Sequence, residues 1–213
     1  MPKLVFIGDS VTDCARKRAQ RYQGTPAALG KGWVHHLDQS LAPRFTDLQC
    51  WNRGFSGGQS ADIMHQPDWW PCQVEGIPQA VELTTLLIGI NDIWHPFWRD
   101  TPHHLDWALE GFRLLVETVQ ARSQRMVVCE PFALPCGEVT AHWWPLLQAL
   151  STGQEAICVE LGVSWCPMQE ALSAAVHGKP SDYLLDGIRP TDLGHRWLAG
   201  RWLSFVLDKN LLP

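Results

Sequence analysis

The segment Asp186-Gly187-Ile188-Arg189-Pro190 lies just before a long helical pattern near the C-terminus. Near the other terminus, Ser10 follows the strand-like run Lys3-Leu4-Val5-Phe6-Ile7-Gly8. A serine that acts as a nucleophile needs a base to take its proton and a carboxylate to orient that base, and folding can bring such groups together from distant parts of a sequence. We therefore interpret Ser10 and Asp186 as two members of one site, which the intervening chain must fold to assemble.

Strand-like runs alternate along the chain with segments long enough to contain crossover helices, and this alternation predicts a parallel sheet. Two runs, about 83–89 and 125–130, lack polar alternation, as expected of central strands covered on both faces. The predicted strands are about 3–8, 46–52, 83–89, 125–130 and 162–166, and the predicted helices are about 29–41, 59–65, 105–122, 140–160, 168–177 and 191–208. The pattern predicts a single α/β domain over 1–213, a three-layer α/β/α sandwich with about five parallel strands.

Length and composition narrow the classes of protein that fit. At 213 residues and 46% hydrophobic content, the chain can bury a substantial core. The formal net charge is −5 and the basic residues form no long run, so neither nucleic acid nor an anionic membrane is an expected partner. Without a signal-peptide pattern or an apolar run of membrane-spanning length, the sequence predicts a cytoplasmic protein and leaves its oligomeric state open.

Seven cysteines occur without a Cys-x-x-Cys pair, which predicts buried thiols and neither a disulfide framework nor a structural zinc site. Cys50, Cys129 and Cys158 lie in apolar runs, where small hydrophobic side chains are expected. No Gly-rich phosphate loop of the common types is present, so no cofactor is expected.

Three further positions are expected to meet at one edge of the sheet. In an open parallel sheet, ligand groups gather beyond the carboxyl ends of the strands, where the crossover loops leave a crevice. Ser10, Gly54 and Asn91 each follow one of the first three predicted strands. We therefore expect them to converge.

Four motifs in this order span nearly the whole chain: Gly8-Asp9-Ser10, Asn52-Arg53-Gly54, Gly89-Ile90-Asn91-Asp92 and the segment at Asp186. Together they resemble the GDSL, or SGNH, hydrolases over about residues 3–208. The resemblance implies a flavodoxin-like SGNH hydrolase fold and the hydrolysis of a small-molecule ester. It also implies that Ser10 is the nucleophile and that Gly54, by its backbone N–H, and Asn91, by its side-chain amide, stabilise the oxyanion. Gly57-Gly58 is interpreted as an ordinary turn.

Arg189 departs from the family pattern. The last family motif reads Asp-x-x-His, with the histidine as general base, and Arg189 occupies the matching position. A guanidinium stays protonated and offers no lone pair, so Arg189 cannot take the serine proton, and we expect it to form an ion pair with Asp186.

Two hypotheses follow from this departure. One is an esterase that acts on small acyl or acetyl esters, acylated carbohydrates among them, with its chemistry impaired or altered by Arg189. The other is a catalytically inactive relative that binds an ester or glycan, in which Arg189 recognises an acidic group or only holds Asp186.

No other histidine is a strong candidate for the general base. His195 lies six residues beyond Arg189, and the helical rise would carry it about 6–9 Å from the base position, which argues against a simple exchange. His95, His103 and His104 follow Asn91 in a predicted loop and are interpreted as solvent-exposed or pocket-lining. A metal site is disfavoured because these histidines lack paired ligand spacing.

Twelve tryptophans occur, several of them in pairs or close spacing between predicted strands: Trp69-Trp70, Trp94 with Trp98, and Trp143-Trp144. Aromatic walls suit a ligand with broad apolar faces, such as an acylated sugar. Tryptophan also anchors loops and fills cores, and that ordinary role is the stronger expectation.

Overall fold

The computed structural model describes residues 1–17, 25–62 and 81–212. Within them, five parallel strands form one sheet in the order β2-β1-β3-β4-β5. The strands are β1 (Lys3–Gly8), β2 (Gln49–Gly54), β3 (Val81–Leu87), β4 (Ser123–Cys129) and β5 (Ser164–Cys166). The described helices are α1 (Ser10–Asp13), α2 (Pro26–Leu29), α3 (Trp33–Leu41), α4 (Ile90–Arg99), α5 (Leu105–Gln120), α6 (Trp143–Leu161), α7 (Gln169–Ala175) and α8 (Asp192–Asp208), with a 3₁₀ turn at Pro180–Asp182.

Side chains of β1 alternate between two hydrophobic layers, as a strand buried on both faces requires. Leu4 and Phe6 pack in the layer that contains α3 and α8, whereas Val5 and Ile7 pack in the layer that contains α5 and α6. All four side chains are fully buried. The sheet is thus covered on both faces, which confirms the three-layer α/β/α architecture.

An aromatic cluster fixes α3 and α8 on the first face. Phe6 lies between Trp33 and Trp202, with ring centroids 5.0 and 5.3 Å away, and the Trp202 Nε1–H donates to Thr85 Oγ1 at 3.0 Å. The bond satisfies the one polar group of a fully buried indole. The final helix is therefore tied to the central strands by both packing and a hydrogen bond.

The structure corrects two helix predictions. His95, expected in a loop after Asn91, lies in α4, and Pro96 lies inside the same helix although a proline lacks the N–H that would continue the helical ladder. His103 and His104 lie in a loop, as predicted. The first predicted helix begins at Trp33 instead of near residue 29, because Gly30 adopts a φ of +81° and separates α2 from α3. The helix predicted over 59–65 extends outside the described residues, which stop at 62 here.

Six cysteines lie in the described part of the chain, and all are free thiols. Cys50, Cys129 and Cys158 are buried, which confirms their predicted role as small core side chains. Cys166 is buried as well. Among the helices between residues 1 and 212 that the structure describes, none combines the length and the apolar character needed to cross a bilayer.

The chain changes direction across the sheet between β1 and β3. From β1 it moves to one side to form β2, then returns past β1 to form β3, β4 and β5 on the other side. In sheets of this order, the crossover loops diverge at that point and leave a crevice beyond the strand ends. The crevice is where the candidate site lies.

Candidate active site

Three strands end side by side at Gly8. In the sheet register, Gly8 pairs with Gly54 of β2 and with Leu87 of β3. A Cβ at Gly8 would lie 2.3 Å from the Leu87 carbonyl oxygen, so only glycine permits this close approach. The loops that carry Ser10 and Asn91 therefore leave the sheet at neighbouring points.

Ser10 is the first residue of α1, and carboxylates on both sides of it hold the turn. Asp9 Oδ1 accepts the Val11 N–H at 2.9 Å, and Asp13 Oδ2 accepts the N–H and hydroxyl of Ser56 at 3.1 and 3.0 Å. Both aspartates thus brace the turn by bonds from their side chains. Ser10 is partly exposed, and within the described residues neither its Oγ nor its N–H has a hydrogen-bond partner. Both groups are available to a ligand.

Two carboxyls beneath the site have raised pKa values. The pKa of Asp9 is raised to about 7, chiefly by burial and to a smaller extent by the charge of Asp92. The hydrogen bond from the Val11 N–H acts in the opposite direction and lowers the pKa. Burial likewise raises the pKa of Asp92 to about 7, although the Ser60 N–H and hydroxyl both donate to Oδ2 at 3.0 Å. The floor of the site therefore favours neutral carboxyls up to about neutral pH.

Asn91 lies in the first turn of α4 and is 1% exposed. Its Nδ2 donates to the Gly58 carbonyl at 2.8 Å, which orients the amide toward the loop after β2. Gly89, at a φ of +130°, makes the preceding turn possible, because a Cβ there would lie 2.9 Å from Gln154 Nε2. An amide nitrogen carries two hydrogens, so one donor of Asn91 remains after the bond to Gly58.

Gly54 does not present its amide to this crevice. Its N–H donates to Asn52 Oδ1 at 2.8 Å, and a Cβ would lie 2.1 Å from the Asp13 backbone nitrogen. The prediction that Gly54 supplies an oxyanion donor is therefore wrong, and its glycine is required for close packing against α1. Gly57 is the residue that the sequence reasoning missed: it is exposed, has a φ of +85°, and its N–H has no partner within the described residues. In the sequence, the only sign of this residue was the Gly57-Gly58 pair, which was interpreted as an ordinary turn.

Asp186 and Arg189 form a closed unit. Oδ1 of Asp186 accepts the N–H groups of Ile188 and Arg189 at 3.1 and 2.8 Å, and Oδ2 accepts Nε–H of Arg189 at 2.6 Å. Burial raises the pKa of Asp186, but the bonds from Arg189 and Ile188 outweigh it and hold the pKa below its ordinary value. The predicted ion pair is confirmed, and the carboxylate stays charged.

One small pocket is lined by residues from these separate segments. Its lining includes Asp9 and Val11, which flank Ser10, together with Ile90, which precedes Asn91, and Ile188, which precedes Arg189. The guanidinium carbon of Arg189 also lies 5.8 Å from the ring centroid of Trp94, one turn beyond Asn91 on α4. The neighbours of Ser10, Asn91 and Arg189 thus meet.

His195 is a structural histidine. It is 5% exposed; its Nδ1 accepts the Trp33 N–H at 3.2 Å, and its Nε2 lies 3.2 Å from Cys14 Sγ. Burial, followed by the charge of His36, lowers its pKa to about 4, while Asp192 opposes that shift. Its lone pair is used at the start of α3, so this conformation does not offer it to Ser10.

The three histidines that follow Asn91 make separate local contacts. Nδ1 of His95 lies 3.1 Å from Gln59 Oε1, Nε2 of His103 lies 3.1 Å from the Ile93 carbonyl, and His104 stacks on Trp107. Within residues 1–17, 25–62 and 81–212, no three His, Cys, Asp or Glu side chains are grouped as metal ligands.

The predicted aromatic wall divides in the structure. Trp143 is buried and stacks on Phe97, whereas Trp98 is 73% exposed. Trp94 is the tryptophan beside Arg189. Trp69-Trp70 lies outside the described residues.

Comparison with known proteins places these features in context. The profile of the GDSL-like Lipase/Acylhydrolase family matches residues 6–197. An acetylxylan esterase of Geobacillus stearothermophilus is 26% identical over 216 residues, which cover 96% of this chain and 93% of that protein.

Solved structures show the same architecture. LAE5, an alpha/beta hydrolase enzyme from the metagenome of Lake Arreo, Spain, superposes with a TM-score of 0.83 at 25% identity and covers 95% of this chain and 94% of its own. Two structures of the Geobacillus acetylxylan esterase are of catalytic mutants in which a serine or a histidine is replaced by alanine. They have TM-scores of 0.79 and 0.78 at 25% and 26% identity, and each match covers 95% of this chain and 93% of that one.

Proposed function

The chain belongs to the GDSL-like lipase/acylhydrolase family, and from that premise we propose that it hydrolyses small acyl or acetyl esters with Ser10 as nucleophile. The observation that carries the proposal is the Ser10 hydroxyl, which follows β1 where the sheet changes direction and has no hydrogen-bond partner among the described residues. The acetylxylan esterase among the relatives makes acetylated carbohydrates the first substrates to test.

In the proposed reaction, Ser10 Oγ attacks the ester carbonyl carbon, and the carbonyl oxygen becomes an oxyanion. The candidate donors to that oxygen are the N–H groups of Ser10 and Gly57, which have no partner in the described part of the chain, and the second amide hydrogen of Asn91. Loss of one such donor typically costs about 2.7–4 kcal/mol of transition-state stabilisation. The oxyanion then collapses, the ester C–O bond breaks, and the alcohol leaves with a proton taken from solvent. Water attacks the resulting acyl-serine, which releases the acid and restores the Ser10 hydroxyl.

Proton transfer is the slow part of this proposal. Arg189 cannot accept the serine proton, and among the described residues no other base contacts Ser10, so in this proposal the proton passes to solvent. Without a positioned base, the rate loses the contribution that general-base catalysis makes, typically 10²–10⁴-fold. We therefore expect a slow esterase.

The test is turnover of p-nitrophenyl acetate by the purified protein and by Ser10→Ala. The expected result is release of p-nitrophenol by the unchanged protein and only the buffer rate with Ser10→Ala. Ser173→Ala is the matched control, because Ser173 is exposed on α7 and bonds only within that helix. Equal rates for the unchanged protein and Ser10→Ala would remove Ser10 from the mechanism.

The second candidate function is binding of an ester or glycan without turnover. The closed Asp186–Arg189 unit favours it, because the carboxylate that would orient a base is already bonded to a cation. Calorimetry with acetylated xylo-oligosaccharides measures this directly. Saturable binding with no acetate release would support the binding protein, and absence of both heat and acetate would reject both functions for this substrate.

A further inference from the structure

The two terminal nitrogens of the Arg189 guanidinium have no partner among the described residues, and the proposed hydrolysis does not use them. We propose that these two nitrogens form a fork for a carboxylate of the ligand, so that the site recognises an organic anion. The proposal rests on the proposed function only for the location of the pocket, since binding of a carboxylate requires no nucleophile.

The guanidinium is held by one nitrogen. Nε donates to Asp186 Oδ2 at 2.6 Å, while the Arg189 backbone N–H donates to Oδ1 of the same carboxylate. Within the described residues, neither terminal nitrogen has a hydrogen-bond or ionic partner. The side chain is nevertheless 57% exposed. The structure thus fixes the cation by its inner edge and leaves its outer edge to solvent.

An outer edge of this kind matches a carboxylate. A guanidinium donates two parallel N–H groups to the two oxygens of a carboxylate, and bonds between charged groups are stronger than bonds between neutral ones. Fixing the side chain beforehand reduces the entropy lost when a ligand binds. Asp186 therefore positions Arg189.

The ring of Trp94 supports the same orientation. The Arg189 guanidinium carbon lies 5.8 Å from the Trp94 ring centroid, within reach of a cation–π contact. The Trp94 indole is itself fixed, because its Nε1–H donates to Glu138 Oε2 at 2.6 Å. That bond engages Glu138, which forms no ion pair with Arg189 among the described residues.

Three further donors follow the carboxyl ends of β1, β2 and β3. The Ser10 and Gly57 N–H groups have no partner within the described residues, and Asn91 retains one amide hydrogen. The buried carboxyls of Asp9 and Asp92 have pKa values raised to about 7, which limits negative charge beneath the site. This balance favours an anion over a neutral or cationic ligand.

A carboxylate could come from two sources, the acid released from an ester or a second acidic group carried by the ester. Sodium acetate probes the first source and monomethyl glutarate the second. Each compound is titrated into the full-length protein, and binding is measured by calorimetry and by NMR. Acetamide, which resembles acetate but has no charge, is the control ligand. Saturable binding of either carboxylate, with acetamide inert, is the expected result.

Three variants test the role of the fork. Arg189→Gln should weaken carboxylate binding at least tenfold, and Arg189→Lys should weaken it less, since lysine keeps the charge but lacks the planar fork. Arg196→Gln is the control, because Arg196 is an exposed arginine that pairs with Asp192 on α8. Its affinity should equal that of the unchanged protein.

Ser10→Ala separates this inference from the proposed hydrolysis. It should abolish ester turnover and retain carboxylate affinity, so a failure of catalysis leaves the inference standing. Equal affinity of the unchanged protein and a folded Arg189→Gln variant would overturn the inference. So would the absence of binding by both carboxylates at tens of millimolar.

Discussion

In the pair formed by Asp186 and Arg189, a well-held carboxylate is bonded to a side chain that cannot act as a general base. The carboxylate is buried, charged and bonded as an orienting group would be, with backbone N–H groups on Oδ1 and a side-chain N–H on Oδ2. The side chain that it orients has no lone pair to offer. The sequence predicted this ion pair because the two residues are three positions apart in a segment with a clear family counterpart.

Arg189→His should raise the esterase rate by about 10²–10⁴-fold, the usual contribution of a general base. Asp186 Oδ2 would accept Nδ1–H of the imidazole in place of Nε–H of Arg189, and the other ring nitrogen could then take the Ser10 proton. The rate should fall below the pKa of the new histidine, as the ring becomes protonated.

Initial rates with p-nitrophenyl acetate across pH measure that change, with Arg189→Gln as the control that removes the cation without adding a base. If a folded Arg189→His variant is no faster than Arg189→Gln, the side chain at position 189 does not contact Ser10.

His195 should make the protein less stable in acid. Its pKa is about 4 in the folded state and ordinarily 6.5, so the unfolded chain binds the proton first as pH falls. Stability from this residue is therefore complete above about pH 6.5 and lost toward pH 4, and amounts to on the order of 3 kcal/mol.

Urea denaturation of the unchanged protein and of His195→Gln at several pH values isolates the contribution of His195, since Asp9 and Asp92 titrate in both. The difference between their unfolding free energies should shrink as pH falls. His177→Gln, at an exposed position, should show no such change; a pH-independent difference for His195→Gln would contradict the titration.

Among the elements, those with a strong apolar period were predictable and those set by local backbone geometry were not. The predicted bounds of helix α5 and strand β1 lie within two residues of the observed ones, because apolar residues recur along both elements at a clear spacing. Helix α4 was missed, since Pro96 and the adjacent His95 mask its pattern. Gly54 and Gly57 were misassigned for a related reason: their roles depend on which N–H is already bonded, and sequence spacing carries no record of that.

Thr191 caps the final helix, and its loss should cost about 1 kcal/mol of stability. Its Oγ1 accepts the Gly194 N–H at 3.1 Å and donates to the Asp182 carbonyl at 2.6 Å. Denaturation midpoints of Thr191→Ala and of Thr118→Ala compare this cap with a mid-helix threonine that bonds only to the Leu114 carbonyl of its own helix. Equal midpoints would show that the cap contributes nothing.

For the whole molecule, the sheet order was implied by family resemblance, and the three layers were implied by the alternation of strands and helices.

Burial of the cysteines makes a prediction that a single chemical titration can check: at most three of the seven thiols should react quickly with Ellman's reagent in the native protein. Cys50, Cys129, Cys158 and Cys166 are buried, and burial followed by the charge of Glu155 raises the pKa of Cys158 to about 12. A thiol that stays protonated is a poor nucleophile.

In guanidinium all seven thiols should react, and the difference counts those protected by the core. Rapid reaction of more than three in the native state would mean that at least one of the two hydrophobic layers is open to solvent.

The contact between Phe6 and Trp202 has a consequence for how the protein is made. The ribosome synthesises the strand that carries Phe6 long before the helix that covers it, so this face of β1 stays unprotected through most of translation. Exposed apolar strands of that kind favour aggregation and are ligands for chaperones. Nascent chains that stop before Trp202 should therefore remain bound to a chaperone, and release should coincide with emergence of the last helix.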